Sequence, residues 1–313
     1  MFTGRPIVVV GSINIDLVAV AEKIPAAGET VIGTAFQIHP GGKGANQAVA
    51  VARLGYPVRM IGRLGNDNFG SQLRAHMEGL GVDCTAVANC DGPSGVATIL
   101  VSSSGENCIV VTPGANAKVS PADLEANLPM IRQSGIVLAQ LEIPMETVEC
   151  LATLCQREEI PLILDPAPAR DLPSVIFPHL AWFTPNESEA LFYAHHSGSG
   201  GDARPPGEIA SHLLAKGCRG VLLKLGSRGA YLATDHHAEV VPAFPVTPVD
   251  STAAGDAFNG AFATGLMLGK SPIDSATFAA AVAAISVTRQ GAQPSMPTMA
   301  EVEHFIDNRF VGS

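Results

Sequence analysis

The chain has 313 residues, 47% of them hydrophobic and 15% charged, with a formal net charge of −10. That composition belongs to a folded globular chain with enough length for a large core, and it excludes a disordered tail. With no Lys/Arg-rich block, the acidic balance argues against nucleic acid or an anionic membrane as the main partner, so a phosphorylated ligand needs local donors.

Taken in chain order, "PIVVVGS" (residues 6–12) is an unbroken β-branched run ended by glycine and predicts a buried strand. The apolar run in "MFTGRPIVVVGS" is too short for a signal peptide. In the following "GSINID", Asn14 and Asp16 are two apart, so an extended chain points both to one side. An amide beside a carboxylate can clasp adjacent hydroxyls of a sugar, although strand-end turn polars explain the pair equally well. "TVIGTAFQIHP" (residues 30–40) reads as a further β-rich piece. In "HPGGKGANQA", Gly41, Gly42 and Gly44 leave backbone N–H groups accessible, and Lys43 and Asn46 add donors. A plain glycine-rich helix start fits those residues too.

"ANQAVAVARLG" predicts a helix stopped by Gly55, "YPVRMIGRLG" a strand, and "DNFGSQLRAHMEGLG" another helix. "GVATILVSSSGENCIVVT" (residues 95–112) is two β-rich runs joined by a turn, a hairpin signal. Two such pieces among βα units suggest a small accessory sheet acting as a lid.

From residue 120 the pattern alternates. "SPADLEANLPMIRQ" predicts a helix with Ser120 as N-cap and Pro121 first inside it. "GIVLAQLEIP", "IPLILDPAPA", "LAWFTPN" and "GVLLKLGS" predict strands between helices, hence βαβ units and a mainly parallel sheet. Ligands of such sheets bind beyond the strands' carboxyl ends. Glu142 falls at one such end, where a solvated side chain is the simpler expectation. Asn186 and Glu189 in "TPNESEA" look first like a helix cap. Gly226, Ser227 and Gly229 in "LKLGSRGA" fit a hairpin turn. The histidine- and glycine-rich residues 195–207 suggest a flexible surface insert.

Neither G-x-x-x-x-G-K-[ST] nor a G-x-G-x-x-G after the first strand occurs, so neither a P-loop nor a dinucleotide fold is supported. What remains is "DSTAAGDAFNGAFATGLMLG". Its small residues strip the backbone bare at the mouth of an apolar helix, whose free first-turn N–H groups favour an anion such as a phosphoryl group. Asp256 would then stand beside the group under attack and accept the proton of an incoming hydroxyl. Alone, the same acid would be read as a structural charge at a helix start.

The six cysteines, Cys84, Cys90, Cys108, Cys150, Cys155 and Cys218, form no C-x-x-C pair and suggest a reducing, cytoplasmic compartment. No apolar stretch is long enough for a membrane span.

Together these motifs resemble the ribokinase family of sugar kinases, which also contains adenosine kinases and fructokinases. "GGKGANQAVAVARLG" is similar to the family's amino-terminal signature and "DSTAAGDAFNGAFATGL" to its carboxy-terminal one; "GSINID", "DPAPAR", "TPNESEA", "LGSRG" and "RQGAQPSMP" extend the likeness nearly end to end. The forms G-G-K-G-A-N-Q-A and G-A-Q-P-S are most like the ribose-specific members. The resemblance implies one α/β domain over residues 1–313, a central mostly parallel sheet between helices. Lid strands would lie within roughly 13–43 and 92–113 and pair two subunits into a homodimer. It implies ATP-dependent phosphorylation of D-ribose at O5, or of another acceptor such as deoxyribose, fructose or a nucleoside. A non-catalytic sugar-binding protein is the remaining reading.

By that resemblance Asn14, Asp16, Gly42, Lys43, Asn46 and Glu142 hold the sugar, and Asp256 is the general base. The amides of Ala254, Gly255 and Asp256 form the anion hole. Asn186 and Glu189 organise Mg²⁺-ATP, and Lys224, Gly226, Ser227 and Gly229 line the nucleotide pocket. A monovalent cation, usually K⁺, falls to Asp250, Thr252, Ser286, Arg289, Gly291 and Ser295. Three positions depart from the pattern: Lys224 stands where Thr is frequent, Ala280 where His or Asn often meets adenine, and residues 195–207 replace more regular helix.

Overall fold

The computed structural model describes residues 4–195 and 204–310. Most of the insert read from residues 195–207 therefore lies outside the described residues.

In chain order the elements are β1 (Ile7–Val10), β2 (Asn14–Ala21), β3 (Gly33–Gly41), α1 (Lys43–Arg53), β4 (Val58–Gly65), α2 (Asn68–Gly79) and β5 (Asp83–Cys90). There follow β6 (Gly95–Ser102), β7 (Asn107–Thr112), α3 (Pro121–Ala126), α4 (Leu128–Arg132), β8 (Ile136–Ala139), α5 (Met145–Arg157), β9 (Leu162–Leu164) and β10 (Trp182–Phe183). The last third holds α6 (Glu187–His195), α7 (Pro206–Leu214), β11 (Gly220–Lys224), β12 (Ala230–Thr234), β13 (Ala238–Val241), α8 (Ala254–Met267), α9 (Pro272–Ser286) and α10 (Met299–Phe310).

The large sheet runs β13-β12-β11-β10-β9-β8-β1-β4-β5. Its strands are parallel from β5 through β11; β12 pairs antiparallel with β11, and β13 pairs antiparallel with β12. Side chains alternate between two cores: Ile7, Val9, Leu138, Ile163 and Leu222 face one, and Val8, Val10, Val137, Leu164 and Leu223 the other. Both faces are covered by helices, which is why the strands read as continuous apolar runs. Helices α1, α8 and α9 pack on the first face, and α5 and α7 on the second.

The hairpin predicted over residues 95–112 is β6–β7, and with β2 and β3 it forms a separate sheet in the order β3-β2-β6-β7. The helix predicted after Ser120 is interrupted at Asn127. Pro129 explains the break, since its ring collides with the preceding turn and it donates no amide hydrogen. The strand read from "LAWFTPN" shrinks to Trp182–Phe183, although the Pro185 carbonyl still accepts the Lys224 amide at 2.9 Å.

The chain leaves β1 for β4 on one side and returns to β8 on the other. That reversal opens a crevice beyond the carboxyl ends of the central strands. Asn14 follows β1, Glu142 follows β8, Asp165 follows β9, Asn186 follows β10, and Lys224 ends β11. Topology alone therefore delivers residues far apart in sequence to one edge.

Candidate active site

On the sugar side, Asn14 is buried and its Oδ1 accepts from Asn116 Nδ2 at 2.7 Å. Asn116 also grips the Ile13 backbone, accepting from its amide at 2.9 Å and donating to its carbonyl at 3.1 Å. Asp16 lies across Gly41, where an added Cβ would come within 2.3 Å of its carboxylate. Gly42 turns the chain into α1 at φ 90°, and a Cβ there would meet the Asn14 amide nitrogen at 2.6 Å. Only glycine accepts that left-handed dihedral without strain. Glu142 is not the solvated residue its position suggested: its Oε2 receives the Ser12 hydroxyl and the Lys43 amide.

Burial raises the Asp16 carboxyl to about 6, with Glu142 and Asp256 adding repulsion. Burial alone would lower the Lys43 ammonium, but Asp256, Asp165, Glu142 and Glu189 outweigh it and hold its pKa above the ordinary lysine value.

Asp256 lies in the first turn of α8, behind Ala253 at φ 58° and with no side-chain cap. Its carboxylate is 5% exposed, accepting Asn46 Nδ2 at 2.9 Å on one oxygen and Gln47 Nε2 at 3.1 Å on the other. Burial raises this carboxyl to about 6 against the opposing pull of Lys43, Asn46 and Gln47. Each oxygen holds one donor, leaving acceptor capacity on both. Of the three amides predicted for an anion hole, that of Ala254 donates to Ser251 O at 3.2 Å. Those of Gly255 and Asp256 belong to the turn that an α-helix leaves unpaired.

Sequence reasoning missed the frame behind Asp256. Gln47 Nε2 also donates to Asp165 Oδ2 at 3.0 Å, and Gln140 Nε2 donates to Gln47 Oε1 at 2.7 Å. Asn46 Oδ1 accepts from Gln293 Nε2 at 3.0 Å. All of these side chains are buried.

On the nucleotide side, a cavity of about 520 Å³ is lined by Lys224 at the end of β11, by Gly226, Ser227 and Gly229 from the turn after it, and by Ala254 and Gly255 from α8. Phe258, Ala280, Ala283 and Val287 form its apolar wall. Ala280 thus borders the cavity without offering a polar atom. Gly229 adopts φ 88°, and a Cβ there would fall 2.0 Å from Val241 O. Asn186 and Glu189 cap each other: Glu189 Oε2 accepts the Asn186 amide at 2.7 Å, and Asn186 Oδ1 the Glu189 amide at 2.9 Å. Burial raises Glu189, with Lys224 opposing and Asp165 adding to the rise. A carboxylate at this edge is an oxygen donor suited to a hard divalent cation.

The predicted cation loops meet, with Val249 and Asp250 donating to Val287 O at 2.7 and 3.1 Å. Asp250 accepts Gly291 N at 2.8 Å and the Thr252 hydroxyl at 2.6 Å, and Ser286 and Ser295 share a hydroxyl contact at 2.7 Å. This all-oxygen set fits a hard cation. The Arg289 side chain turns away to Glu301 at 2.7 Å. Among the described residues no group of three or more His, Cys, Asp or Glu is arranged to hold a metal, and no helix is long and apolar enough to cross a membrane. A separate groove of about 610 Å³, lined by Leu124, Cys150, Arg157 and His179 among others, holds none of the predicted site residues.

A mostly parallel nine-stranded sheet, a separate four-stranded sheet and a crevice at the strands' carboxyl ends define an α/β ligand-binding architecture, and comparison with known proteins narrows it. The profile described as pfkB family carbohydrate kinase matches residues 5–299. The chain is 41% identical over 303 residues to a ribokinase of Bacillus subtilis, covering 96% of this chain and 99% of that one. It is 34% identical over 304 residues to a deoxyribokinase of Salmonella typhi, covering 96% and 98%. A structure of Arabidopsis thaliana ribokinase with ribose and ATP superposes with a TM-score of 0.89 at 34% identity, covering 97% and 99%. The chain belongs to the pfkB family of carbohydrate kinases.

Proposed function

We propose that this kinase transfers the γ-phosphoryl group of ATP to the O5 hydroxyl of D-ribose, giving D-ribose 5-phosphate and ADP. The observation that carries the reading is Asp256: a buried carboxylate raised to about 6, adjoining the Gly255 amide that opens on the nucleotide cavity.

Asp256 takes the O5 proton as the oxygen attacks in line, the γ-phosphorus to bridge-oxygen bond breaks, and ADP leaves. The Gly255 and Asp256 amides hold the equatorial oxygens, joined by Ala254 once it releases Ser251 O. Asn14, Asp16, Gly42, Lys43, Asn46 and Glu142 bind the sugar: the Asn116 bond turns Asn14 Nδ2 toward a ligand, and Lys43 balances the acids around it. Lys224, Gly226, Ser227 and Gly229 receive the nucleotide, with adenine against the alanine wall. Asn186 and Glu189 serve Mg²⁺-ATP, the metal supplying charge neutralisation when bound. The loops carrying Asp250, Thr252, Gly291, Ser286 and Ser295 hold a monovalent cation such as K⁺, with Arg289 contributing no side-chain ligand.

The chain acts as one catalytic domain whose four-stranded sheet closes over the sugar and excludes water. Exposed Phe36 and Ile38 on β3 and Ile109, Val110 and Val111 on β7 give that sheet apolar surface for a homodimer partner. Six free cysteines support a reducing, cytoplasmic setting.

The similarity to a deoxyribokinase makes 2-deoxyribose the specific competitor. An ADP-release assay over pentoses, 2-deoxyribose, fructose and nucleosides checks the assignment. D-ribose should give a kcat/KM at least about tenfold above any other, as expected for a site that pairs the hydroxyl deoxyribose lacks. A preference for another acceptor, or ribose binding without ADP release, overturns it.

A further inference from the structure

The Lys224 ammonium donates to Asp165 Oδ1 at 2.9 Å, and the two side chains are only 12% and 3% exposed. Desolvating such a pair is costly, so an internal ion pair is weak support for stability. Its location suggests another use. An ideal Cβ on Gly255 would find Lys224 Nζ as its nearest neighbour, at 3.5 Å. The ammonium therefore borders the space directly over the first-turn amides of α8. It has three donors and Asp165 takes one.

The surroundings favour a cation there. The crevice gathers Asp16, Glu142, Asp165, Glu189 and Asp256 in a chain of net charge −10, so a polyphosphate arriving at this edge meets repulsion. Lys43 answers it on the α1 side, and Lys224 is the ammonium on the cavity side. Asp165 is also tied to the proton acceptor: its Oδ2 and Asp256 Oδ1 share the amide nitrogen of Gln47 at 3.0 and 3.1 Å. Gln140 fixes the other end of that amide. Cation and carboxylate thus hang on one buried frame, whose geometry is set before substrate binds.

We infer that Lys224, positioned by Asp165, is a catalytic residue that contacts the transferring γ-phosphoryl group itself, beyond lining the nucleotide pocket. This rests on the kinase reading above. The charge that develops on the γ-oxygens and the bridge oxygen is met by an ammonium already held in place by Asp165.

Three variants test it: Lys224→Met, Asp165→Asn and the double variant, with calorimetric affinities for ADP and for a non-hydrolysable ATP analogue, thermal midpoints and kcat. Losing a charged hydrogen bond to the terminal phosphate should weaken the triphosphate analogue by about 10- to 150-fold. ADP, which lacks the γ-phosphoryl group, should lose less affinity than the analogue, so the analogue/ADP affinity ratio should fall. The double variant removes the buried charges together, so its thermal midpoint should recover toward the parent while kcat and the ATP-analogue/ADP affinity ratio stay low. Recovery of both in the double variant, or an unchanged ratio in Lys224→Met, overturns the assignment and leaves the ion pair structural. If the unaltered protein binds no triphosphate, the kinase reading itself has failed and this inference with it.

Discussion

Replacing Asp256 with asparagine should lower kcat by about 10²–10⁴-fold, the usual contribution of a positioned general base, while circular dichroism stays native. The base is lost while the shape is kept, and the one remaining oxygen can still accept from Asn46 or Gln47. The pH profile gives the same claim a second readout. A base works when ionised, and both Asp256 and Asp16 are raised to about 6, so kcat/KM should be full above that value and fall as pH drops through it. Because both carboxylates must be ionised, the acid limb should approach a two-proton slope at its foot, and their mutual repulsion should spread the fall over a wider pH range than two independent groups would give. In Asp256→Asn the residual activity should follow one group only. A variant with near-parental kcat, or a parent whose kcat/KM is flat through pH 6, removes Asp256 from the chemistry.

Asp16→Ala should reduce kcat/KM for ribose by about 10- to 150-fold, the loss of a charged hydrogen bond to a sugar hydroxyl. Most of that loss should appear in KM, because the contact is made before and during transfer alike. Lys43 would keep Asp256, Asp165, Glu142 and Glu189 as partners, so the fold should survive. Calorimetry showing unchanged ribose affinity would place Asp16 outside the sugar site.

Much of this arrangement was legible because it is local. The β6–β7 hairpin announced itself through two β-rich runs around Ser103-Ser104-Gly105, and α8 through small residues ahead of an apolar run. Asn186 and Glu189 formed the reciprocal cap that their spacing of three residues describes. What stayed hidden is non-local. Asn116 meets Asn14 across 102 positions, Gln140 meets Gln47 across 93, and Gln47 meets Asp256 across 209. No periodicity encodes such contacts. A usable signal did exist in Gln140 and Asp165, polar residues set directly after the fully apolar strands "IVLA" and "LIL". A buried amide or acid at a parallel strand's carboxyl end belongs to the crevice by topology, whatever its neighbours. One failure was local: Pro129 cut a helix that the apolar pattern had extended through it.

The most direct test is a crystal structure with D-ribose and a non-hydrolysable ATP analogue. The account predicts ribose O5 within about 2.6–3.2 Å of an Asp256 carboxylate oxygen, the reach required of a general base. It also predicts a γ-phosphate oxygen on the Gly255 amide. A bound sugar whose O5 points elsewhere, with Asp256 still held by Asn46 and Gln47 alone, would contradict it.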